Sequence, residues 1–220
     1  MLETDLKGGT FTVSWLVDNW LLPRAPGATP ETILGALESE AARLPPGSDG
    51  LVLLPYWNGV MNPYWDDDAT GAVIGWHGAH GPAHMYRAIL EGIALEERLA
   101  IDAVERGAAA KIDEMVVMGG GSKSDLFCRI VADVVGRRIV RASSHEATSL
   151  GGAILGAAAI GVHADAASAA RAMTSAANAF EPGPARAFYE ELFRRVYAGL
   201  YPAVAPSLRE LTRLRQRQGR

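Results

Sequence analysis

The sequence predicts an α/β domain built on a largely parallel sheet, and three observations carry that prediction. From about residue 83 onward, segments of helical periodicity alternate with short apolar runs, in the order helix, strand, helix, strand, helix. With 220 residues, 49% of them hydrophobic and 21% charged, the chain has material for an ample core. The run VVMGGGSKSDLF, residues 116–127, stops an apolar stretch on three glycines and then turns helical. In open α/β sheets, ligands sit where the carboxyl ends of strands enter helices in this way.

The elements follow in chain order. Residues 11–22, FTVSWLVDNWLL, space their apolar side chains as a helix does, with Trp15 and Trp20 for packing. Pro23, Pro26, Gly27 and Pro30 make a loop. Thr29 caps a helix that starts at Pro30 and ends near Leu44, where Pro45-Pro46-Gly47 stops it. Residues 50–54 read as a short buried strand and 71–76 as a second, joined by the aromatic, turn-rich loop YWNGVMNPYWDDD. A long helix covers 83 to about 106, with Arg87, Glu91, Arg98, Asp102 and Glu105 along one face. A strand over 113–118 meets the glycines. A helix over 124–135, a strand over 138–141 and a Gly/Ala-rich helix over 148–160 come next, then helices over 165–177 and 183–204. No internal repeat is visible.

Composition narrows the function classes. A net charge of -4 gives no electrostatic reason to expect nucleic acid or an anionic membrane as partner. The single cysteine, Cys128, cannot form an internal disulfide, and MLETDLKGG lacks the basic start and apolar run of a signal peptide. A cytoplasmic location is expected. The uncharged segment 147–164 is interrupted by Gly151, Gly152, Gly156, Gly161 and His163, which favours a tightly packed buried helix over a membrane span.

The triple glycine fits neither standard phosphate motif. For G-x-G-x-x-G it offers Gly119 and Gly121, but Ser124 stands in place of the third glycine; Glu146 meets the downstream acidic position only roughly. For the P-loop, Ser122 intrudes between Gly121 and Lys123. Taken alone, the turn is as well explained by tight strand–helix packing.

The wider context shifts that balance. The stretch 119–161, GGGSKSDLFCRIVADVVGRRIVRASSHEATSLGGAILGAAAIG, resembles the C-terminal domain of the FGGY carbohydrate kinases, most of all their xylulokinase-like branch. A second stretch, GAVIGWHGAHGPAHMYRAILEG over 71–92, is similar to the family's C-terminal signature. Gly71 and Gly75 match its glycines, His84 its polar position, and Ala88 to Glu91 its small-apolar-acidic run. Trp76 departs from the usual aliphatic residue. NPYWDDDATG, just before, is also similar to the family's approach to that signature, and the resemblance extends over roughly 10–200.

The resemblance implies an actin-like, ribonuclease-H-like domain, one of two flanking a cleft, that holds the adenosine end of ATP. Carried over by position, Gly119, Gly120, Gly121 and Ser124 are the nucleotide-binding residues. Bare backbone lets a flat base lie against the turn, and Ser124 offers a hydroxyl. Glu146 and the 148–152 segment either line the same cleft or serve as a helix cap with close helix–sheet packing. The family's N-terminal phosphate loop, sugar site and general base have no match, since Asp5-Leu6-Lys7-Gly8 has the wrong spacing, and the early glycine-threonine hairpin is also unmatched. Residues 1–206 are therefore expected to be a C-terminal kinase domain lacking its start, and 207–220 a basic tail. No catalytic residue is assigned within the chain, which alone should not transfer a phosphoryl group.

The expected function is the ATP-binding half of a kinase for a small polyol or ketose. ATP and Mg2+ are its cofactors, and the sugar is reached through an N-terminal domain. The rival is a non-catalytic, actin-like interaction domain that docks another chain through its exposed half-cleft; a homodimer stays among the options. A Rossmann-type oxidoreductase is disfavoured by Ser124. His77, His80 and His84 cluster, but Gly81-Pro82 divides them and no metal is expected. Asp66-Asp67-Asp68 reads as a solvated loop, and Arg87 with Glu91 as a surface ion pair worth about 0.3–0.5 kcal/mol. The tail SLRELTRLRQRQGR, with five arginines against one glutamate, reads as a frayed, solvated helix.

Overall fold

The computed structural model describes residues 9–218, so the Asp5-Leu6-Lys7-Gly8 stretch lies outside the described residues. Helix α1 (Phe11–Leu16) runs on through a π turn (Val17–Leu21) into a short 3-10 turn. Helix α2 (Pro30–Ala41) starts as its sequence predicts: Thr29 Oγ1 accepts from Thr32 N, and Thr32 Oγ1 accepts from Thr29 N at 2.9 Å. Strands β1 (Val52–Leu54) and β2 (Ala72–Ile74) pair antiparallel. Helix α3 (Pro82–Ala108) then crosses the molecule and ends where Ala109 turns left-handed.

The second sheet has the order β3-β4-β5, made of Glu114–Val117, Arg138–Ala142 and Ala176–Phe180. Strands β3 and β4 are parallel, linked by α4 (Asp125–Val135), whereas β5 joins β4 antiparallel. The parallel character expected of the sheet is thus confined, among the described residues, to the pair that carries the glycine turn. Strand β5 follows α6 (Ala166–Met173) and overlaps the end of the helix expected over 165–177. Its alanines favour a helix locally, but pairing with β4 overrides that preference. Ser143 N donates to Ser175 O at 2.9 Å, and Phe180 lies under the Arg141 guanidinium.

The core gathers around α3. Ala88, Ile89 and Ala94 are wholly buried, and Gly92 lets the helix lie directly on β1, since a Cβ there would meet Leu53 O at 2.5 Å. The polar face of α3 is not a solvated one. Arg87 and Glu91 are buried, and the Glu91 carboxylate accepts from Arg87 Nε (2.8 Å), Gly47 N (2.9 Å), Ser48 Oγ (3.0 Å) and Tyr189 OH (2.7 Å). The expected surface pair is a buried network because α7 (Arg186–Leu192) and the 47–50 loop close over it. Further along, Glu96 accepts from Tyr56 and Tyr197 hydroxyls at 2.6 and 2.8 Å, and burial pushes its carboxyl up to about 7. Near the far end, Glu105 binds Ile112 N, Lys111 and Arg137, which hold it down at about 2.

Two other surface readings change. Helix α8 (Ala198–Gln218) follows α7 through a π turn and continues without a break past Pro202 and Pro206. Its basic part docks rather than frays over the described residues: Arg209 Nε and Tyr201 OH both donate to Asp66 Oδ2, at 2.8 and 2.6 Å, and Thr212 Oγ1 donates to Asp68 O at 3.2 Å. Asp66 is therefore an anchor for α8. Conversely, α5 (Ala147–Ala159), expected to be buried, has no buried residue. Its main neighbour is the short α6, and Leu155, Ile160 and Val162 are 63%, 78% and 65% exposed.

Candidate nucleotide site at the glycine turn

Past the end of β3, Gly119 takes a φ of +83°, which a glycine adopts without penalty, and a 3-10 turn (Gly120–Lys123) leads into α4. Ser122, buried beneath the turn, locks it: its Oγ donates to Gly119 O at 2.7 Å and meets His145 Nδ1 at 3.0 Å. Ser124 caps α4, its Oγ accepting from Phe127 N at 2.9 Å. The same hydroxyl donates to Glu38 Oε1 at 2.6 Å.

Between α1, α2, α3 and this turn lies a cavity of about 480 Å³, within the usual size range of small-molecule sites. Gly120, Gly121, Ser124 and Phe127 line one side, with Lys123 beside them; Val13, Leu34, Glu38, Tyr86 and Leu90 are on the other sides, together with Thr10 and Ser14. Gly119 lies instead on a neighbouring groove beside β3. Glu38 links three helices: besides Ser124 it accepts from Leu126 N at 3.2 Å and from Tyr86 OH at 2.7 Å. Burial first, and then the Glu38 carboxylate, push the Tyr86 hydroxyl well above its ordinary range, so it stays a donor.

The three glycines differ in what the fold asks of them. Gly119 is needed for its backbone angle. A Cβ on Gly121 would meet the Thr10 methyl at 2.9 Å and the Phe127 ring at 3.4 Å. Gly120 lacks a left-handed φ, and a Cβ there would meet nothing within 4 Å. The fold itself gives no reason for glycine at 120.

Sequence reasoning missed Glu38 and Tyr86. Nothing in LGALESEA separates Glu38 from the exposed Glu40, and Tyr86 sits unremarked in an apolar helix. Glu146 and the 148–152 segment lie away from this cavity; Glu146 makes no side-chain cap bond, and Gly151 and Gly152 have no neighbour within 4 Å of a built Cβ. Neither role expected for that segment has support in its geometry.

The histidines do come together. His77, His80 and His84 each accept a backbone N–H at Nδ1, from Ala79, His77 and Gly81, and each points Nε2 at Asp49. An Nδ1 that accepts leaves the proton on Nε2, where it serves as a donor rather than a metal ligand. Among the described residues, no group of three or more His, Cys, Asp or Glu side chains could hold a metal ion, and no helix is long and apolar enough to cross a membrane.

The fold defines a class: an actin-like α/β kinase domain, here with a cavity beside its glycine turn. The chain belongs to the FGGY family of carbohydrate kinases, whose C-terminal domain matches residues 4–160. It is 33% identical over 208 residues to a glycerol kinase of Dechloromonas aromatica, covering 94% of this chain and 39% of that enzyme. Xylulose kinase from Lactobacillus acidophilus superposes with a TM-score of 0.74 at 26% identity, over 93% of this chain and 40% of that one. Xylulose kinase from Rhodospirillum rubrum gives 0.72 at 28%, over 90% and 38%. The chain thus spans well under half the length of the relatives it matches.

Proposed function

We propose that this chain is the adenosine-binding part of an ATP-dependent sugar kinase and that the cavity at the glycine turn receives the nucleoside. The observation that carries the reading is Gly120: bare backbone at the cavity wall, at a position where neither backbone angle nor packing calls for glycine. A flat base laid against the turn supplies the missing reason. Val13, Leu34, Leu90 and Phe127 offer the apolar surroundings a base prefers, and Ser124 with Glu38 the polar edge.

In this reading Gly120, Gly121 and Ser124 bind the nucleotide, and Gly119, outside the cavity, shapes the turn that presents them. ATP leaves its phosphates pointing out of the cavity toward an N-terminal domain that carries the sugar. Mg2+, where bound, would supply charge neutralisation at those phosphates, and the described residues contain no His/Cys/Asp/Glu cluster that would hold it, so its ligands are expected mostly outside this chain. What this chain does is position: it fixes the inert end of ATP, while closure of two domains excludes water from the reacting end. The acceptor is a small polyol or ketose. Glycerol kinases among the sequence relatives and xylulose kinases among the solved structures leave the xylulokinase-like branch as one of two specificities to assay. A kinase of this kind works in the cytoplasm.

Calorimetric titration with ADP tests the reading. Wild-type protein is expected to bind, and Gly120→Val, whose Cβ meets no neighbour in the fold, to stay folded and bind at least about tenfold more weakly. A folded Gly120→Val with unchanged affinity means the nucleotide lies elsewhere. The alternative, a non-catalytic interaction domain, draws on the exposed apolar side chains of α5 and predicts no nucleotide binding at millimolar concentration.

A further inference from the structure

The nucleotide reading places Glu38 at the polar edge of the cavity without saying what it selects, and this acid is held in the cavity wall from three directions. Tyr86 OH donates to Oε2; Ser124 Oγ and Leu126 N both donate to Oε1. An ionised carboxylate offers about four acceptor sites, two on each oxygen. Both sites on Oε1 are taken by the protein, and Tyr86 takes one on Oε2. One acceptor site on Oε2 remains for a ligand.

Ser124 adds to the same bias. Its single proton goes to Glu38 and its oxygen already accepts from Phe127 N, so toward a ligand it too can only accept. The Tyr86 proton is likewise spent on Glu38. The edge formed by Glu38, Ser124 and Tyr86 therefore reads hydrogen-bond donors, and an acceptor group would have to turn to Lys123 or Ser14 elsewhere on the lining.

We propose that Glu38 is a specificity-determining residue that selects a purine carrying an exocyclic amino group, adenine over hypoxanthine, at the glycine-turn cavity. The inference rests on the nucleotide reading above. Adenine presents an N–H donor where hypoxanthine presents a carbonyl oxygen. The carbonyl would face a carboxylate and a committed hydroxyl with no proton between them, and hypoxanthine N1–H could reach Glu38 only by a shift of the base within the site. Sites built to bond a ligand N–H discriminate strongly against analogues that lack it. Because Glu38 is only half-buried, the expected discrimination is moderate.

The experiment is calorimetric titration of the full chain with ADP, inosine diphosphate and purine riboside diphosphate, which has neither amino group nor carbonyl at that carbon. Wild-type protein is expected to favour ADP over the inosine nucleotide by roughly tenfold or more, with the purine nucleotide also weaker than ADP. Glu38→Gln, whose amide can donate, is expected to bring the ADP and inosine affinities within about threefold of each other. If Glu38 only clamps α2 to α4, both affinities fall together and the ratio stays at its wild-type value; that result overturns the proposal. Equal wild-type affinity for all three nucleotides overturns it without any variant, so it does not depend on Glu38→Gln folding. Wild-type binding of none of the three sinks the nucleotide reading and this inference with it, whereas ADP binding with an unaltered ratio sinks this inference alone.

Discussion

Helices α3 and α5 are both rich in small and apolar residues, and they meet opposite fates. Helix α3 carries Arg87, Glu91, Glu96 and Glu105 and buries all four. Helix α5, ATSLGGAILGAAA, carries no charge and buries nothing. The difference lies in the neighbours. Around α3, the 47–50 loop and Tyr189 of α7 reach Glu91, Tyr56 and Tyr197 reach Glu96, and Lys111, Ile112 N and Arg137 reach Glu105, whereas α5 has little beside α6 to lie against. Burial is decided by what can be brought alongside, and composition sets only the cost of failing to find it.

The sharpest way to break this comparison is to remove a partner from the α3 network. Glu91→Ala leaves Arg87 buried without its carboxylate and should cost about 3–5 kcal/mol in urea unfolding. A loss under about 1 kcal/mol would mean that Arg87 is satisfied without the carboxylate, through Ala41 O and Tyr189 OH. The next effect depends on pH. Glu96 titrates at about 7 in the fold against an ordinary 4.5, so between those values the folded state keeps a proton that the unfolded chain has released. Its contribution to stability is therefore fully present below about 4.5 and falls as pH rises through about 7, by on the order of 3 kcal/mol. Glu96→Gln should abolish that decline; a stability curve of unchanged slope in the variant between roughly pH 4 and 8, which bracket the shift, would show that Glu96 is not its source. Smallest of all, Leu155→Ser on α5 should change the stability of this chain by less than about 0.5 kcal/mol. A drop of several times that size would reveal that α5 is covered in solution, by a second copy or another segment.

The same contrast marks what was legible in the sequence. The glycine turn stands out because glycine departs from the surrounding pattern, and its strand-to-helix setting follows from periodicity. The match of α2 to Thr29 and Pro30 is equally local, since cap and turn chemistry act over three or four residues. Strand β5 was hidden because AANAF is helix-prone alone and becomes a strand only through β4. Glu38 was hidden for a related reason: its meaning comes from Tyr86 and Ser124, which are remote in sequence and adjacent in space. The docking of Arg209 and Tyr201 on Asp66 spans still more of the chain. Patterns within one element can be read from one segment, whereas contacts that close between elements cannot.

The loop over the start of β1 carries that principle further. Gly47, Ser48, Asp49 and Gly50 all have positive φ, and two of them are not glycine, a shape that costs about 1–2 kcal/mol for each such residue. Glu91 grips Gly47 N and Ser48 Oγ from the middle of α3. The conformation of this loop is thus written some forty positions downstream of it, in a helix whose carboxylate gives the loop its reason to bend. Substitutions at Ser48 and at Glu91 should consequently be inherited as a pair.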